Sequence, residues 1–459
     1  MTGNPSPNPL PASGEGARRT GDTCVVVLDD DPLGGQCIRD VPVLTGWEPE
    51  VLVAEIIRSP AFLLLTNTRA LGRDEAIERA REVGLALRAA VQATGRPITP
   101  VFRSDSTLRG HFCWEMHAFD RAFRGDDALG PVCVFLPYFG EAGRITKDDT
   151  QYVVADNALA PVHETEFARD PAFGFEHSHL PTWLEAHSGG EHRAGEVSCV
   201  SLDDLRSGST ARVVDMLVSA PDGGAVVVNA VADDDLQAFV SALAEAEANG
   251  KRFLCTGAAP FIRARLGQTI HPLLSAGEIV EGYGRGESRL APTVDTSTGG
   301  LTVVGSYVDK TTGQLRLALA EPAVAAFELS HGIRARDARR IAETVSGHLA
   351  AGEDVILHTT RAHVPGAAPT IVEALNVIVA SLDVRPRYLL AKGGSTASHL
   401  ATEALGVRRA IVLGHLQPGV PVWRLGEESR WPGLRFVIFP GNVGTPESLA
   451  EALRTLRGS

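Results

Sequence analysis

The stretch Leu389-Leu390-Ala391-Lys392-Gly393-Gly394-Ser395-Thr396-Ala397-Ser398-His399-Leu400-Ala401-Thr402-Glu403-Ala404 decides how this chain is read. An apolar run from Tyr388 to Ala391 feeds into Gly393 and Gly394, and an alanine-rich, helix-compatible segment opens behind them. A glycine turn between a strand and a helix leaves backbone N–H groups unpaired at the positive end of the helix dipole, which suits phosphate. Glycine belongs there because a side chain would hold an anion off the backbone. An ordinary strand-to-helix turn reads the same way in isolation, so the rest of the chain has to decide.

Working outward, apolar strand-like runs alternate with longer helical patterns, which favours an α/β fold. In the first half the strand candidates are Cys24–Leu28, Ala61–Leu65, Thr99–Arg103, Val132–Leu136 and Ala225–Asn229. Residues Arg73–Thr94 carry apolar positions at helical spacing (Ile77, Val83, Leu87, Val91) and predict a surface helix. Leu236–Ala248 predicts a second helix, with Asp233–Asp235 at its first turn. Around residues 285–300 a polar stretch containing Pro and Gly breaks the pattern and marks a boundary. A second series follows: strands at Leu301–Ser306, Asp354–His358, Tyr388–Ala391, Arg409–Leu413 and Arg435–Phe439, and helices near Arg334–Ala351 and Ala368–Val379. A last helix is expected from Pro446, with Thr445 as its N-cap. The expected architecture is two domains, each a mainly parallel sheet flanked by helices, with the active site in the cleft between them. The boundaries are residues 22–285, a linker at 286–300, and 301–459.

Composition agrees. A chain of 459 residues exceeds a single ordinary core. It is 44% hydrophobic and 22% charged, as in globular proteins. A net charge of −13 with no basic patch argues against nucleic-acid binding, yet leaves room for a few arginines around an anionic small molecule. No apolar run reaches the roughly 18 residues that span a bilayer. Residues 1–21, rich in Pro, Gly and Ser, read as a disordered leader rather than a signal peptide. Six scattered cysteines without Cys-x-x-Cys pairs read as reduced thiols of a cytoplasmic protein, and no spacing suggests a protein-held metal.

Five constellations sit at predicted strand ends, where ligands of open α/β sheets bind. Asp29-Asp30-Asp31 repel one another and need a cation, a basic partner or open water; an acidic surface turn is the bland alternative. Arg103-Ser104-Asp105-Ser106-Thr107-Leu108-Arg109-Gly110-His111 crowds two arginines, an acid and three hydroxyls before a glycine. Arginine grips carboxylates bidentately and Asp and Ser hold hydroxyls, whereas N-capping explains one such residue, not all. Pro137 to Arg144 is a glycine-bearing loop ending in an arginine, and Gly305-Ser306 with Thr311 and Gln314 closes a strand of the second half. Both are weak alone. Gly441-Asn442-Val443-Gly444 is a second glycine loop in the same half as Gly393-Gly394. Together they suggest phosphoryl transfer, in which one half holds a nucleotide and the other a small polar acceptor. The Walker A and protein-kinase signatures are absent, and no Gly-x-Gly-x-x-Gly opens a helix after the first strand.

In order, these motifs resemble the four-carbon acid sugar kinase family over residues 24 to about 455. The resemblance implies an acid-sugar-binding N-terminal domain and an ATP-binding C-terminal domain using ATP and Mg²⁺, the ion held mainly by phosphates and water. Carried over, Asp30, Asp31, Asp105, Ser106, Arg109 and Arg144 face the acid sugar, with Asp30, Asp31 and Arg109 in catalytic roles. Ser306, Gly393, Gly394, Ser395, Thr396, Gly441 and Gly444 line the nucleotide. The partner expected is the acid sugar itself, with no nucleic acid and no membrane; a homodimer is left open. Two positions depart: Ser395 stands where the family has Asp or Glu, and Leu33 where it has Thr. They point to a divergent subgroup acting on a related hydroxy acid, or to a catalytically silent sensor of a metabolite or nucleotide. A nucleotide-dependent ligase or other α/β transferase is a third reading.

Overall fold

The computed structural model describes residues 23–31, 35–125, 130–155, 158–280, 297–330, 332–361 and 368–458. The leader, Leu33 and most of the expected linker lie outside them. In the N-terminal half the strands are β1 (Cys24–Asp29), β2 (Val41–Leu44), β3 (Ala61–Leu65), β4 (Ile98–Arg103), β5 (Val132–Leu136), β6 (Arg144–Lys147), β7 (Thr150–Ala155), β8 (Ala158–Pro161), β9 (Ser198–Val200), β10 (Ala225–Val228) and β11 (Phe253–Gly257). In the C-terminal half they are β12 (Leu301–Val304), β13 (Val324–Leu329), β14 (Asp354–Thr359), β15 (Tyr388–Lys392), β16 (Arg409–Gln417), β17 (Val420–Leu425) and β18 (Arg435–Phe439).

Among the described residues, fifteen of these strands form one sheet, in the order β13-β14-β12-β15-β18-β17-β16-β2-β3-β1-β4-β11-β5-β10-β9. Each wing is parallel: β1 pairs with β3 and β4, and β15 with β12 and β18. Strands β5, β10, β12, β14, β15 and β18 are buried throughout, which is why they read as apolar runs; β11, equally buried but ending in Cys-Thr-Gly, did not. The wings meet where β16 runs antiparallel to β2, with Val412 opposite Val41 and Arg409 opposite Leu44. The β16–β17 hairpin and its antiparallel pairing to β18 complete this middle section. A separate antiparallel sheet, β6-β7-β8, lies on the N-terminal half.

Helix Arg73–Thr94 falls where its periodicity predicts and ends on Gly95 in the left-handed region (φ 68°). The helix expected from Leu236 starts at Asp233, because the Asp235 carboxylate accepts from the Val231 and Ala232 amides (2.9 and 3.0 Å) and fixes that first turn. The last helix starts at Ser448, not Pro446. Thr445 is not its N-cap; instead the Thr445 amide donates to the Ser448 hydroxyl (2.9 Å). Among the described residues no helix is long and apolar enough to cross a membrane.

Candidate active site

The acidic triplet has found a basic partner. Asp30 leaves the end of β1 and is clasped by Arg69, whose Nη2 and Nε donate to its two oxygens at 2.5 and 3.0 Å. Arg69 Nη1 donates to Asp31 (3.1 Å), and Arg103 from the end of β4 stands 3.4 Å from Asp30. Two guanidiniums therefore offset the charge of the cluster. Behind them, burial pushes the Asp29 carboxyl up to about 8; Arg103 opposes the shift while Asp30 and Asp31 add to it. Burial and the Asp30 charge likewise raise Glu115 to about 7, and its Oε2 accepts from the Thr68 hydroxyl (2.7 Å).

The turn after β4 is tightly tied. Asp105 accepts from the Thr107 hydroxyl (2.6 Å) and from Arg109 Nε (2.7 Å). Burial alone would raise this carboxyl, but the charges of Arg69 and Arg109 outweigh it and hold Asp105 well below the usual carboxylate range. Gln151 of β7, fully buried, donates to the carbonyls of Ser106 and Pro137 (2.8 and 3.1 Å) and pins this turn to the next one. Arg109 also lies 3.7 Å from Asp170. Arg144 differs: it makes no ion pair among the described residues, and its buried Nε has no hydrogen-bond partner. Both guanidiniums lie over the ring of Phe167, at 5.1 and 5.5 Å.

In the C-terminal half, three strand ends converge. The Gly305 and Ser306 amides donate to the Lys392 carbonyl at 3.3 and 3.2 Å, and the Gly393 amide donates to the Phe439 carbonyl at 2.8 Å. Gly393 has φ 119°, and a Cβ on Gly305 would stand 2.2 Å from the Thr396 hydroxyl, so these glycines are set by close approach. The helix Gly394–His399 opens directly behind and passes into a π turn at Leu400–Ala404. Thr311 and Gln314 are fully buried and brace the other glycine loop. Thr311 Oγ1 donates to the Gly441 carbonyl (2.9 Å), and Gln314 Nε2 donates to those of Val443 and Thr445 (2.9 and 2.8 Å). Lys392 is fully buried between the loops, its Nζ donating to the Pro440 carbonyl (2.5 Å) and lying 3.9 Å from the centre of the Phe439 ring.

A single cleft of about 1120 Å³ is lined from both halves. Asp31, Asp105, Ser106, Arg109 and Arg144 line it from the N-terminal side, and Ser306, Gly393, Gly394, Ser395, Thr396, Gly441 and Gly444 from the C-terminal side. Asp30 is the exception: it sits behind Arg69, 4% exposed, and is not part of the wall. In this structure its carboxylate is taken up by Arg69 and Arg103. Sequence reasoning missed Arg69, which follows β3 without a glycine to flag it. It also missed Phe167, Lys310 and the Gln417–Gly419 turn, all of which line the cleft. The Ser395 hydroxyl lies 3.4 Å from His399 Nδ1, but that nitrogen is 2.7 Å from the Ser395 carbonyl. A ring nitrogen that donates to the carbonyl cannot also take the hydroxyl proton, so the histidine does not activate this serine.

Residues 25–265 match the family model of a sugar-binding N-terminal domain, and residues 301–449 that of a nucleotide-binding C-terminal domain. The chain belongs to the four-carbon acid sugar kinase family. Within it, this sequence is a divergent member. No curated protein matches it. A Salmonella typhimurium LT2 protein, provisionally called a tRNA synthase, is 16% identical over 94% of this chain and 99% of its own, with a TM-score of 0.67. A Haemophilus influenzae protein of a family of unknown function is 18% identical over 94% and 100%, with a TM-score of 0.61. At such identities the likeness concerns the fold. The family's two domain types accordingly meet at the cleft, the sugar-binding half contributing the acid/arginine wall and the nucleotide-binding half the glycine loops.

Proposed function

We propose that this chain transfers the γ-phosphoryl group of ATP to a hydroxyl of a small hydroxy acid of about four carbons. The observation that carries this reading is the shared cleft, which joins the arginine-rich wall to the glycine loops. Arg144, which has no carboxylate partner among the described residues, would take the acid's carboxylate, and Arg109 would assist from its tether on Asp105. Asp105 and Ser106 would hold its hydroxyls. Asp31 lines the cleft with one oxygen held by Arg69, and would orient the acceptor hydroxyl and receive its proton. The hydroxyl oxygen then bonds to the γ-phosphorus, the bond from that phosphorus to the β–γ bridging oxygen breaks, and ADP leaves. Such transfer is mainly positioning and charge stabilisation, so a strong base is not required.

The amides opening at Gly394, with Ser306 and the Gly441–Gly444 loop, would cradle the phosphates. Mg²⁺, which keeps water and phosphate oxygens as ligands, suits a wall whose oxygen-bearing side chains include Ser395, Thr396, Asn442 and Glu451; it would neutralise phosphate charge. Five of the six cysteines are buried and all are free, which supports a cytoplasmic setting.

ADP release measured over a panel of tetronates and related hydroxy acids tests the proposal. Acid-dependent ADP release supports it; absence of release with every acid refutes it. Ser395 in place of the family's acidic residue favours one other reading, a silent sensor. That reading predicts ATP binding by calorimetry with no turnover.

A further inference from the structure

Gln36 bridges the two halves of the cleft. It is buried, 6% exposed, and lines the cleft at the seam between the halves. Its Oε1 accepts from Arg103 Nη2 (3.4 Å), the arginine that also reaches Asp30 (3.4 Å). Its Nε2 donates to the carbonyl of Gly419 (3.0 Å), in the turn of the β16–β17 hairpin. That turn faces the second glycine loop, since a Cβ built on Gly419 would lie 3.5 Å from the Val443 side chain. The next residue is anchored to the same hairpin, the Cys37 amide donating to His415 Nε2 at 2.8 Å, with Cys37 in the left-handed region at φ 71°. A strained backbone held by two bonds from the opposite half is a segment whose conformation the opposite half sets.

The side-chain chemistry is specific. A primary amide accepts from a guanidinium with one atom and donates to a carbonyl with the other. Glutamate would keep the first contact and repel the Gly419 carbonyl; leucine would keep neither.

We propose that Gln36 is a positioning residue that couples the nucleotide loops to the acid-binding wall, so that filling one orders the other. The proposal rests on the cleft reading above. Nucleotide phosphates settling on Gly441–Gly444 would press through Val443 on the Gly419 turn, and Gln36 would carry the shift to Arg103 and the Asp30–Arg69 cluster.

Hydrogen exchange with the non-hydrolysable analogue AMPPNP alone tests this, followed by mass spectrometry of peptides from both halves. In the wild-type protein, amides of 393–396 and 441–444 should slow, and amides of 103–109 should slow about fivefold or more through coupling alone. Gln36→Leu should keep the slowing at the glycine loops and lose it at 103–109, and Gln36→Glu, closer in size, should do the same. Should Gln36→Leu not fold by circular dichroism, the glutamate variant decides. Full slowing at 103–109 in a folded variant, or none there in the wild type despite slowed loops, overturns the coupling. No slowing at the glycine loops in the wild type would instead sink the nucleotide-binding reading itself.

Discussion

Two arginines placed on the same phenylalanine ring do different work. Arg109 is tied to Asp105 and faces Asp170, while Arg144 carries no carboxylate partner among the described residues. Arg144→Ala is therefore expected to weaken binding of the hydroxy acid by about 10- to 100-fold, the range of a charge-assisted hydrogen bond, and to leave ATP affinity unchanged. Calorimetric titration of each ligand checks the split. Lys392 carries the second expectation. Burial, with the Lys310 charge adding to it, lowers its pKa from 10.5 to about 7. Between about pH 7 and 10.5 the unfolded chain then holds a proton that the folded protein lacks, so stability rises with pH in that window and this contribution is flat below it. The slope from this group is at most about 1.4 kcal/mol per pH unit. Lys392→Met should remove that rise when denaturant unfolding is compared at pH 7 and pH 9. The sequence announced the cleft arginines after β4 and β5 because hydroxyls and glycines crowd around them. It could not announce Arg69, whose role exists only because β3 lies beside β1 and brings Arg69 onto the Asp30 carboxylate.

At the scale of elements, glycine loops and apolar runs were the legible signals, and proline was the misleading one. Strands β2 and β17 escaped notice because Pro42 and Pro421 sit inside them, and a proline argues against a central strand. Both belong to the antiparallel middle section, where the pairing is short or shifted by bulges. Edge strand β13 was missed for another reason: half-exposed, it lacks the continuous burial of its neighbours. Most strands of the parallel wings were legible because burial on both faces writes an uninterrupted hydrophobic string, while β9 and β11, short or ending in polar residues, were not. The loop after β15 yields a direct expectation. In Gly393→Ala the new methyl would meet Ser306 and Thr396 at 3.2 Å on a backbone at φ 119°. Loss of nucleotide affinity by tenfold or more, about 1.4 kcal/mol, is expected, with acid binding retained. Fluorescence titration with a labelled ATP analogue reads it.

Across the whole molecule, the two halves are one sheet with a seam, and the cleft opens beside that seam. The seam is more than backbone. Glu55, 2% exposed, receives two bonds from Arg409 of β16 (2.7 and 3.2 Å). Arg409→Ala leaves a buried carboxylate without its cation and should cost about 3 kcal/mol by denaturant unfolding. Expected pairing of the domains was legible as two α/β series; their fusion into one sheet was not, since it hangs on four residue pairs between segments far apart in sequence. The most direct test is a crystal structure of the protein with both AMPPNP and a tetronate. The account predicts the γ-phosphate between Gly393–Thr396 and Gly441–Gly444, pointing at an acid held by Arg144 and Ser106 in the same cleft. Nucleotide and acid bound in separate places, with protein between them, would contradict it.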